Sequence, residues 1–371
     1  MRYSKLAELY EALSSTTKRL EKIKILAKFL ENIHEEDSDI LYLLMGEIYP
    51  EYDERKIGIS NQLAIKAISK STGTEGSQVV KEWKHIGDIG KVAEKLIKNK
   101  KQSTLESHIL TTKKVLENLR KLPELEGKGT VGKKISLITE LLTSASPIEA
   151  LYLVRTLIGD LIIGIQESTI RDAMAEAFFK RDKESVKKIQ DALDNSNDIS
   201  VVFDMAKKKK FHELEKISLR VGKPVKVMLA QKVATIEDGF KALGKKCVIE
   251  YKYDGFRLLI HKNNSQIILF TRRLENVTKQ FPEVVEYIKK YVGGKSFILD
   301  SEAVGYDSQT KEYKPFQSIS QRIRRKYNIK EMQKKLPVEI NVFDILYYNG
   351  KSLLNEPFEK RTELVRKIIK N

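Results

Sequence analysis

The octapeptide at 250–257 reads Glu250-Tyr-Lys-Tyr-Asp-Gly-Phe-Arg257 and places Lys252 two residues before an Asp-Gly pair. β-Prone residues flank that pair on both sides, which predicts a β-hairpin with Lys252 at the end of a rigid strand and Cys247 in a buried one. An amine, two carboxylates and a guanidinium in one short stretch suit covalent capture of a phosphoryl group, because the amine attacks and Arg257 forks onto phosphate or ribose. Taken alone, the Lys-x-Asp-Gly tetrad also fits a surface hairpin whose charged residues only face water.

Three later segments repeat this design, in which a β-prone run delivers polar residues to a shared place. The second of them carries Asp300 and Glu302, which lie two residues apart and therefore on one face of a strand. The third carries Phe343 and Asp344 near its middle. We therefore expect the polar residues of all four segments to meet at one site. The three segments are Gln266-Ile-Ile-Leu-Phe-Thr-Arg-Arg-Leu-Glu-Asn276, Ser296-Phe-Ile-Leu-Asp-Ser-Glu-Ala-Val304 and Glu339-Ile-Asn-Val-Phe-Asp-Ile-Leu-Tyr-Tyr348.

In their order and spacing the four segments resemble the ATP-dependent DNA ligases of archaea and the related eukaryotic replicative enzymes, which belong to the covalent nucleotidyltransferases. The octapeptide is similar to the family's lysine motif, and Thr271-Arg-Arg-Leu-Glu-Asn276 is similar to its Ser/Thr-Arg-Arg-Leu-Glu-Asn element. The segments at 296–304 and 339–348 are similar to its acidic motif and its adenine-stacking motif.

The resemblance implies a role for each matching residue. Lys252 would attack the α-phosphate of ATP, expel pyrophosphate and carry AMP as a phosphoramidate. Glu250 would hydrogen-bond the adenine edge, and Phe343 would stack on the adenine face. ATP is the implied nucleotide and Mg²⁺ the implied metal, with Mn²⁺ as an alternative. The other matches are Arg257 and Arg272 for the ribose and phosphate side of the nucleotide, Glu302 for the ribose or the metal, and Arg361 without a definite role.

The charge balance of the chain points to a polyanionic partner. In 371 residues, Lys+Arg 68 against Asp+Glu 51 give a formal net charge of +17, which favours nucleic acid. An anionic membrane is the alternative, yet no stretch approaches the roughly 18 apolar residues of a spanning helix and the N-terminus lacks a signal-peptide core. We therefore expect a cytoplasmic, nucleoid-associated protein without a membrane partner. Its single cysteine, Cys247, cannot form an internal disulfide.

The residue pattern changes once along the chain, which predicts a multidomain protein. Residues 1–205 follow helical periodicity, and Ser146-Pro-Ile-Glu149 is typical of a helix start. A charged stretch at 206–225 is predicted as the linker, and β-rich runs fill 226–371. We expect an all-α domain followed by an α+β domain with an antiparallel sheet. The resemblance implies that these are a DNA-binding domain and an adenylyltransferase domain, the latter incomplete at its C-terminus because the family continues past Asn371 to a Glu-Gly motif, a Lys-x-Lys motif and an OB-fold domain.

The helical region contains several segments that are similar to the family's DNA-binding domain. Gly-rich helix starts present backbone N–H groups to DNA phosphates, and Lys133, Lys134 and Arg171 are the candidates for added charge there. Solvated helix faces are the alternative. The segments are Gly87-Asp-Ile-Gly90, Lys100-Lys-Gln-Ser103, Gly127-Lys-Gly-Thr-Val-Gly-Lys-Lys134, Arg155-Thr-Leu-Ile-Gly-Asp-Leu161 and Ser168-Thr-Ile-Arg-Asp-Ala173.

One of these segments imitates a phosphate-binding P-loop. Gly127 and Gly132-Lys133 have the P-loop spacing, but Lys134 stands where Ser or Thr would bind Mg²⁺, and no strand is predicted before the loop. A P-loop is therefore rejected.

The resemblance implies an ATP-dependent DNA ligase that seals nicks in duplex DNA in replication, repair and recombination. Because the C-terminal motifs lie beyond Asn371, this chain alone is expected to seal nicks weakly or not at all. Nicked duplex DNA, a sliding clamp and a separately encoded C-terminal ligase portion are the candidate partners. The alternatives are a non-catalytic nick- or duplex-binding protein and an RNA ligase or capping-type enzyme, which shares Lys-x-Asp-Gly.

Overall fold

The computed structural model divides into two compact units, Met1–Ile217 and Ser218–Asn371, and each unit is described by itself. The described residues are 1–34, 37–99, 109–127, 129–179, 181–208, 211–226, 228, 230–325 and 327–370.

The regular elements in the described residues of unit 1 are helices, apart from an isolated β-bridge between Arg2 and Thr111. One hydrophobic core joins its helices, and Tyr3, Tyr152 and Phe203 are among the largest side chains that it buries completely. The predicted all-α N-terminal region is therefore confirmed. The helices are α1 Tyr3–Ser14, α2 Arg19–Glu31, α3 Ile40–Leu44, α4 Asn61–Thr72, α5 Gly76–Ile86, α6 Ile89–Lys98, α7 Thr112–Glu124, α8 Thr130–Ser144, α9 Pro147–Ile158, α10 Glu167–Phe178, α11 Lys183–Ser196, α12 Ile199–Lys207 and α13 Phe211–Glu215.

Helix α9 begins at the predicted capping signal. The backbone N–H of Ser146 donates to Oε2 of Glu149 at 2.8 Å, and Pro147 is the first helical residue. The helix ends at Gly159, whose φ of 76° is the left-handed conformation that favours glycine.

Helices α6 and α9 approach closely at Gly90. Asp88 caps α6, because its Oδ1 accepts the N–H of Gly90 at 2.8 Å, while its Oδ2 accepts Nη2 of Arg155 at 2.6 Å. A Cβ atom on Gly90 would lie 2.7 Å from the carbonyl oxygen of Leu151. The capping of α6 by Asp88 and the close helix packing at Gly90 thus explain why these two residues occur in the segment at 87–90.

The division between the units falls between residues 217 and 218, inside the stretch predicted as the linker. Residues 206–217 belong to unit 1, and α13 buries Leu214 in its core. The domain boundaries at 205 and 226 stay predictions.

Unit 2 contains an antiparallel sheet with helices, which confirms the predicted α+β domain. The strand order is β2-β1-β3-β5-β6, and β4 pairs with β3. Each of these pairings is antiparallel. The elements are α14 Ile236–Leu243, β1 Phe256–Asn263, β2 Gln266–Thr271, α15 Pro282–Tyr291, β3 Ser296–Tyr306, β4 Tyr313–Lys314, α16 Phe316–Ile323, α17 Ile329–Lys335, β5 Val338–Tyr348, β6 Lys351–Ser352 and α18 Phe358–Ile368.

The two faces of this sheet have different surroundings. On one face, alternate residues such as Leu258 and Ile260 pack into the main core with residues of α15, α16 and α18. On the other face, a smaller apolar cluster holds Leu259 and Phe270 together with Leu219 and nearby residues. The rest of that second face carries charged side chains, so the alternation of β1 and β3 separates core from site.

The hairpin predicted at Asp254-Gly255 is wrong. Strand β1 begins at Phe256, and residues 247–253 lie outside regular elements. From Leu258 onward the two edges of β1 are paired with β2 and β3, so a preceding strand finds no free edge there. Cys247 is accordingly half-buried with a free thiol, and not part of a buried strand.

Among the helices of the described residues, none is long and apolar enough to cross a membrane.

Replacement of Gly90 by alanine should destabilise unit 1 by about 1–3 kcal/mol, because the added Cβ meets a backbone carbonyl that cannot move aside. The measurement is thermal unfolding of the chain and its variant. The control is Gly76→Ala on α5, where a Cβ has no heavy atom within 4 Å. Equal melting temperatures for the two variants would contradict the close approach of α6 and α9.

Candidate active site

A row of charged side chains in unit 2 has two adjacent carboxylates of the second sheet face between two guanidinium groups. Arg257 on β1 forks onto Asp300 on β3, with Nε donating to Oδ1 at 2.7 Å and Nη2 donating to Oδ2. Arg361 on α18 forks onto Asp344 on β5, with Nε donating to Oδ1 at 2.8 Å and Nη2 to Oδ2 at 3.0 Å. Asp300 and Asp344 face each other in the β3–β5 register. Each carboxylate is therefore held by its own guanidinium in a bidentate pair.

Asp300 is almost completely buried, with 6% of its surface exposed. Burial raises the pKa of the Asp300 carboxyl and the Asp344 carboxylate raises it further, while the Arg257 guanidinium opposes both effects. A buried carboxylate stays charged only with such a partner. Asp300 can therefore remain in this buried position as a carboxylate only because Arg257 is paired with it.

Glu302 lies next to this row and beside Lys252. Glu302 is the register partner of Arg257 and is half-buried. Burial raises the pKa of Glu302 and the Asp300 carboxylate adds to the rise, whereas the Lys252 ammonium and the Arg257 guanidinium lower it. The backbone N–H of Gly255 also bonds to the Glu302 carboxylate. Arg257 and Glu302 are therefore neighbours on adjacent strands, and the exposed Lys252 is near enough for its charge to act on Glu302.

Gly255 permits this close arrangement. A Cβ atom there would lie 2.3 Å from the carbonyl oxygen of Ala303 and 2.9 Å from its carbonyl carbon. Backbone atoms of a paired strand cannot shift to make room, so only glycine fits between the Lys252 segment and β3.

Phe343 occupies a β-bulge beside the charged row. The register passes from Asp300 opposite Asp344 to Ser301 opposite Val342, which leaves Phe343 as the extra residue of β5. Bulges redirect side chains and are frequent next to active sites. The half-buried Phe343 lines a cleft of about 750 Å³. Aromatic residues of the same cleft are Tyr253, Tyr287, Tyr291, Tyr306 and Tyr313.

Glu250 and Arg272 lie on the surface of unit 2. Glu250 is exposed in the segment before β1. Arg272 is exposed in the turn after β2, where Thr271 Oγ1 bonds to Glu275 Oε2 at 3.1 Å and the buried Leu274 takes a φ of 65°. The turn directs its apolar residue inward and its arginines to solvent, so the roles of Glu250 and Arg272 stay predictions.

Two family models match the chain. Residues 227–371 match the model described as ATP dependent DNA ligase domain, and residues 2–175 match DNA ligase N terminus. The chain belongs to the ATP-dependent DNA ligase family. The family membership implied by the four sequence segments is confirmed.

Individual DNA ligases are similar along the whole chain. The DNA ligase of Nanoarchaeum equitans is 39% identical over 369 residues, which cover 100% of this chain and 64% of the relative. The DNA ligase of Methanosphaera stadtmanae is 42% identical over 373 residues, which cover 99% of this chain and 65% of the relative. The chain therefore spans less than two thirds of the length of these ligases.

A solved structure titled Pmar-Lig_Pre is similar in fold to the chain. The similarity covers 97% of this chain and 62% of that one, with a TM-score of 0.50 and 16% sequence identity. At this identity the likeness concerns the fold alone.

The two arginine forks are not predictable from the ligase motifs. The spacing of Asp300 and Glu302 predicts a shared face, and Phe343 marks the bulge segment, but pairing across strands depends on the register. Two register shifts of β5, at Leu346 and at Phe343, lie on either side of the stretch in which Asp344 is opposite Asp300. Arg361 lies on α18, and the strand patterns in the sequence do not indicate that this helix packs beside Asp344.

The candidate DNA-binding residues of the ligase N-terminal region lie in unit 1. Lys133 is exposed on α8 and lines a cleft of about 630 Å³ between α7 and α8, and Lys134 is half-buried beside it. Arg171 is already engaged, because Nη1 donates to Gln190 and Nη2 to Asp172, both at 2.6 Å. Helix α7, and not a strand, precedes Gly127, in agreement with the rejection of a P-loop. The segment Lys100-Lys-Gln-Ser103 lies outside the described residues.

Without a bound nucleotide, the described carboxylates of unit 2 provide a metal ion with few ligands. In the part of the chain that the structure describes, no group of three or more His, Cys, Asp or Glu side chains could hold a metal. Mg²⁺ is usually held by one or two carboxylates together with substrate phosphates and waters. Glu302, whose carboxylate is half-buried beside Lys252, fits such a shared site.

Replacement of Glu302 by glutamine should stabilise the chain at neutral pH, by less than about 1 kcal/mol because the side chain is only half-buried. The raised pKa of Glu302 means that the native state binds this proton more readily than the unfolded chain. The parent therefore loses stability as the pH rises through that pKa, and the variant does not. Urea unfolding between about pH 4 and pH 8 measures the difference.

The control for this series is Glu363→Gln, an exposed position on α18. No pH-dependent gain is expected from it. A loss of stability in Glu302→Gln at neutral pH would show that the carboxylate is stabilising, contrary to its desolvated position.

Proposed function

We propose that this chain is the DNA-binding and adenylation part of a DNA ligase, which joins nicked duplex DNA through AMP carried on Lys252. The observation that supports the proposal most is the position of Lys252 beside Glu302 and the Arg257–Asp300 fork, in a chain of the ligase family. Sealing activity, substrate and partners are proposed because the related ligases are longer than this chain.

The first step would form the lysyl-AMP bond. Nζ of Lys252 attacks the α-phosphorus of ATP as the free amine, the N–P bond forms, and the P–O bond to pyrophosphate breaks. Glu302 is the proposed acceptor of the lysine proton, because its raised pKa makes it a stronger base than an exposed glutamate. Lys252 is exposed, so this transfer would require its amine to move within hydrogen-bond distance of Glu302 when ATP binds.

Arg257 and Phe343 would hold the nucleotide for this attack. The Asp300 fork uses Nε and Nη2 of Arg257, so Nη1 is the atom that would reach the ribose or phosphate. Phe343 would stack on adenine from its bulge, and Glu250 would bond the adenine edge. Arg272, exposed after β2, would add charge on the phosphate side.

The proposed metal is Mg²⁺, with Mn²⁺ as an alternative, held by Glu302 and the phosphates of ATP. When bound, the ion offsets negative charge on the phosphates. The same carboxylate of Glu302 would therefore have two roles. It would act as a base before the metal binds and as a ligand once the metal is present.

Nick sealing would follow by transfer of AMP to the 5′-phosphate of the nick and attack of the 3′-hydroxyl, which releases AMP. We propose that the additional third present in the relatives is needed for efficient sealing, as a continuation of the polypeptide or as a separately encoded portion. Without that portion, sealing is expected to be weak. The activity would serve replication, repair and recombination inside the cell, with a sliding clamp as a candidate recruiting partner.

A non-catalytic DNA-binding protein is the second candidate, favoured by the net charge of +17. It predicts duplex binding without a covalent nucleotide. An RNA ligase or capping-type enzyme is a further alternative, and it would join nicked RNA in preference to nicked DNA.

Incubation with ATP and Mg²⁺ should add one AMP to the parent chain and none to Lys252→Ala, because the variant lacks the attacking amine. Intact mass spectrometry measures the adduct. The control is Lys246→Ala, an exposed lysine of the same segment before β1, which should be labelled like the parent. Equal labelling of Lys252→Ala and the parent would refute the proposed nucleophile.

Binding of nicked duplex DNA should weaken with salt, and Lys133→Ala and Lys134→Ala should each reduce the salt slope by about one unit, because each removes one phosphate contact. Fluorescence anisotropy at several salt concentrations measures this effect. The control is Lys70→Ala on α4, an exposed lysine outside the predicted surface. An unchanged slope in both α8 variants would place the DNA surface elsewhere.

A further inference from the structure

All three nitrogens of the Arg361 guanidinium donate hydrogen bonds within the protein. Its Nε and Nη2 hold Asp344, and its Nη1 donates to the backbone carbonyl oxygen of Glu356 at 2.5 Å. Only 16% of its side chain is exposed. Each nitrogen of Arg361 thus already donates a hydrogen bond within the protein, and its most direct connection to the site is through Asp344.

Asp344 fixes the backbone around the bulge. Its Oδ1 accepts the N–H of Ile345 at 2.8 Å as well as Nε of Arg361. Phe343, the extra residue of the bulge, directly precedes it. The Arg361 fork therefore anchors to α18 the strand segment from which Phe343 extends.

The same fork balances charge inside the sheet. Asp344 faces Asp300, and two neighbouring carboxylates repel each other or compete for one cation. With Arg361 on Asp344, Arg257 remains free to fork onto Asp300 alone. Without Arg361, two carboxylates would compete for the Arg257 guanidinium, which would weaken its fork onto Asp300.

We propose that Arg361 is a positioning residue of the adenylation site, which holds the Phe343 bulge through Asp344 and keeps Arg257 on Asp300. The inference rests on the proposed function for its effect on nucleotide use. Its structural part, the coupling of α18 to the Arg257 end of β1, holds for the chain without any nucleotide.

Hydrogen exchange of the full chain tests the coupling directly, with peptides that cover 256–260 and 341–346. Arg361→Gln should speed exchange in both peptides by about tenfold, within the range of couplings between linked residues. In the double variant Arg361→Gln/Asp344→Asn, exchange at 256–260 should return to within about threefold of the parent, because no carboxylate then competes for Arg257. The control is Arg366→Gln, an exposed arginine of the same helix, which should match the parent.

A simple tether gives a different pattern. If Arg361 only anchored α18, the double variant would exchange as fast as Arg361→Gln, and the change would be confined to 341–346. Either result would overturn the proposal. Neither result depends on whether the chain binds ATP.

Adduct formation with ATP supplies the second measurement. Arg361→Gln should raise the ATP concentration needed for half-maximal labelling by about fivefold or more, within the range of couplings between linked residues. Arg361→Lys should not restore it, because an ammonium cannot fork onto a carboxylate. A purely structural role would reduce the labelled fraction at an unchanged half-maximal concentration. Absence of an adduct in the parent would contradict the proposed function alone, and hydrogen exchange would still decide the role of Arg361.

Discussion

The bidentate pair between Arg257 and Asp300 is the constraint on which the site depends. Asp300 lies almost completely buried on the second face of the sheet, where an unpaired charge would cost several kcal/mol. Arg257 satisfies it and is thereby fixed opposite Glu302 in the register. Gly255 then allows the Lys252 segment to lie against β3. The position of the Arg257 guanidinium and the close approach of the Lys252 segment to β3 thus follow from one buried pair and one missing side chain.

Buried ionisable groups on the second face of the sheet are accommodated in two different ways. At the apolar end, burial lowers the pKa of His261 to about 3, so the ring is neutral, and its Nδ1 accepts the N–H of Gly222 at 3.0 Å. At the polar end, Asp300 and Asp344 are each paired with an arginine. Glu302 has a raised pKa and only partial compensation. This partly compensated carboxylate lowers stability and leaves Glu302 able to accept a proton or bind a metal. Functional sites commonly trade stability for reactivity in this way.

Local signals in the sequence predict local structure well. The Ser146 capping signal begins α9, and Asp300 and Glu302 share a face. The change from helical to strand periodicity predicts the two units and their fold classes. The hairpin at Asp254-Gly255 fails because partners distant in sequence occupy the edges of β1. The forks of Arg257 and Arg361 and the bulge at Phe343 are set by register and helix docking, which no short pattern encodes.

A crystal structure of the chain after reaction with ATP and Mg²⁺ tests the central claim most directly. The account predicts continuous density from Nζ of Lys252 to the phosphorus of AMP, with Arg257 still forked onto Asp300 and the adenine against Phe343. AMP on a different lysine, or a guanidinium of Arg257 that has left Asp300 while AMP sits on Lys252, would contradict the claim that this buried pair positions the site.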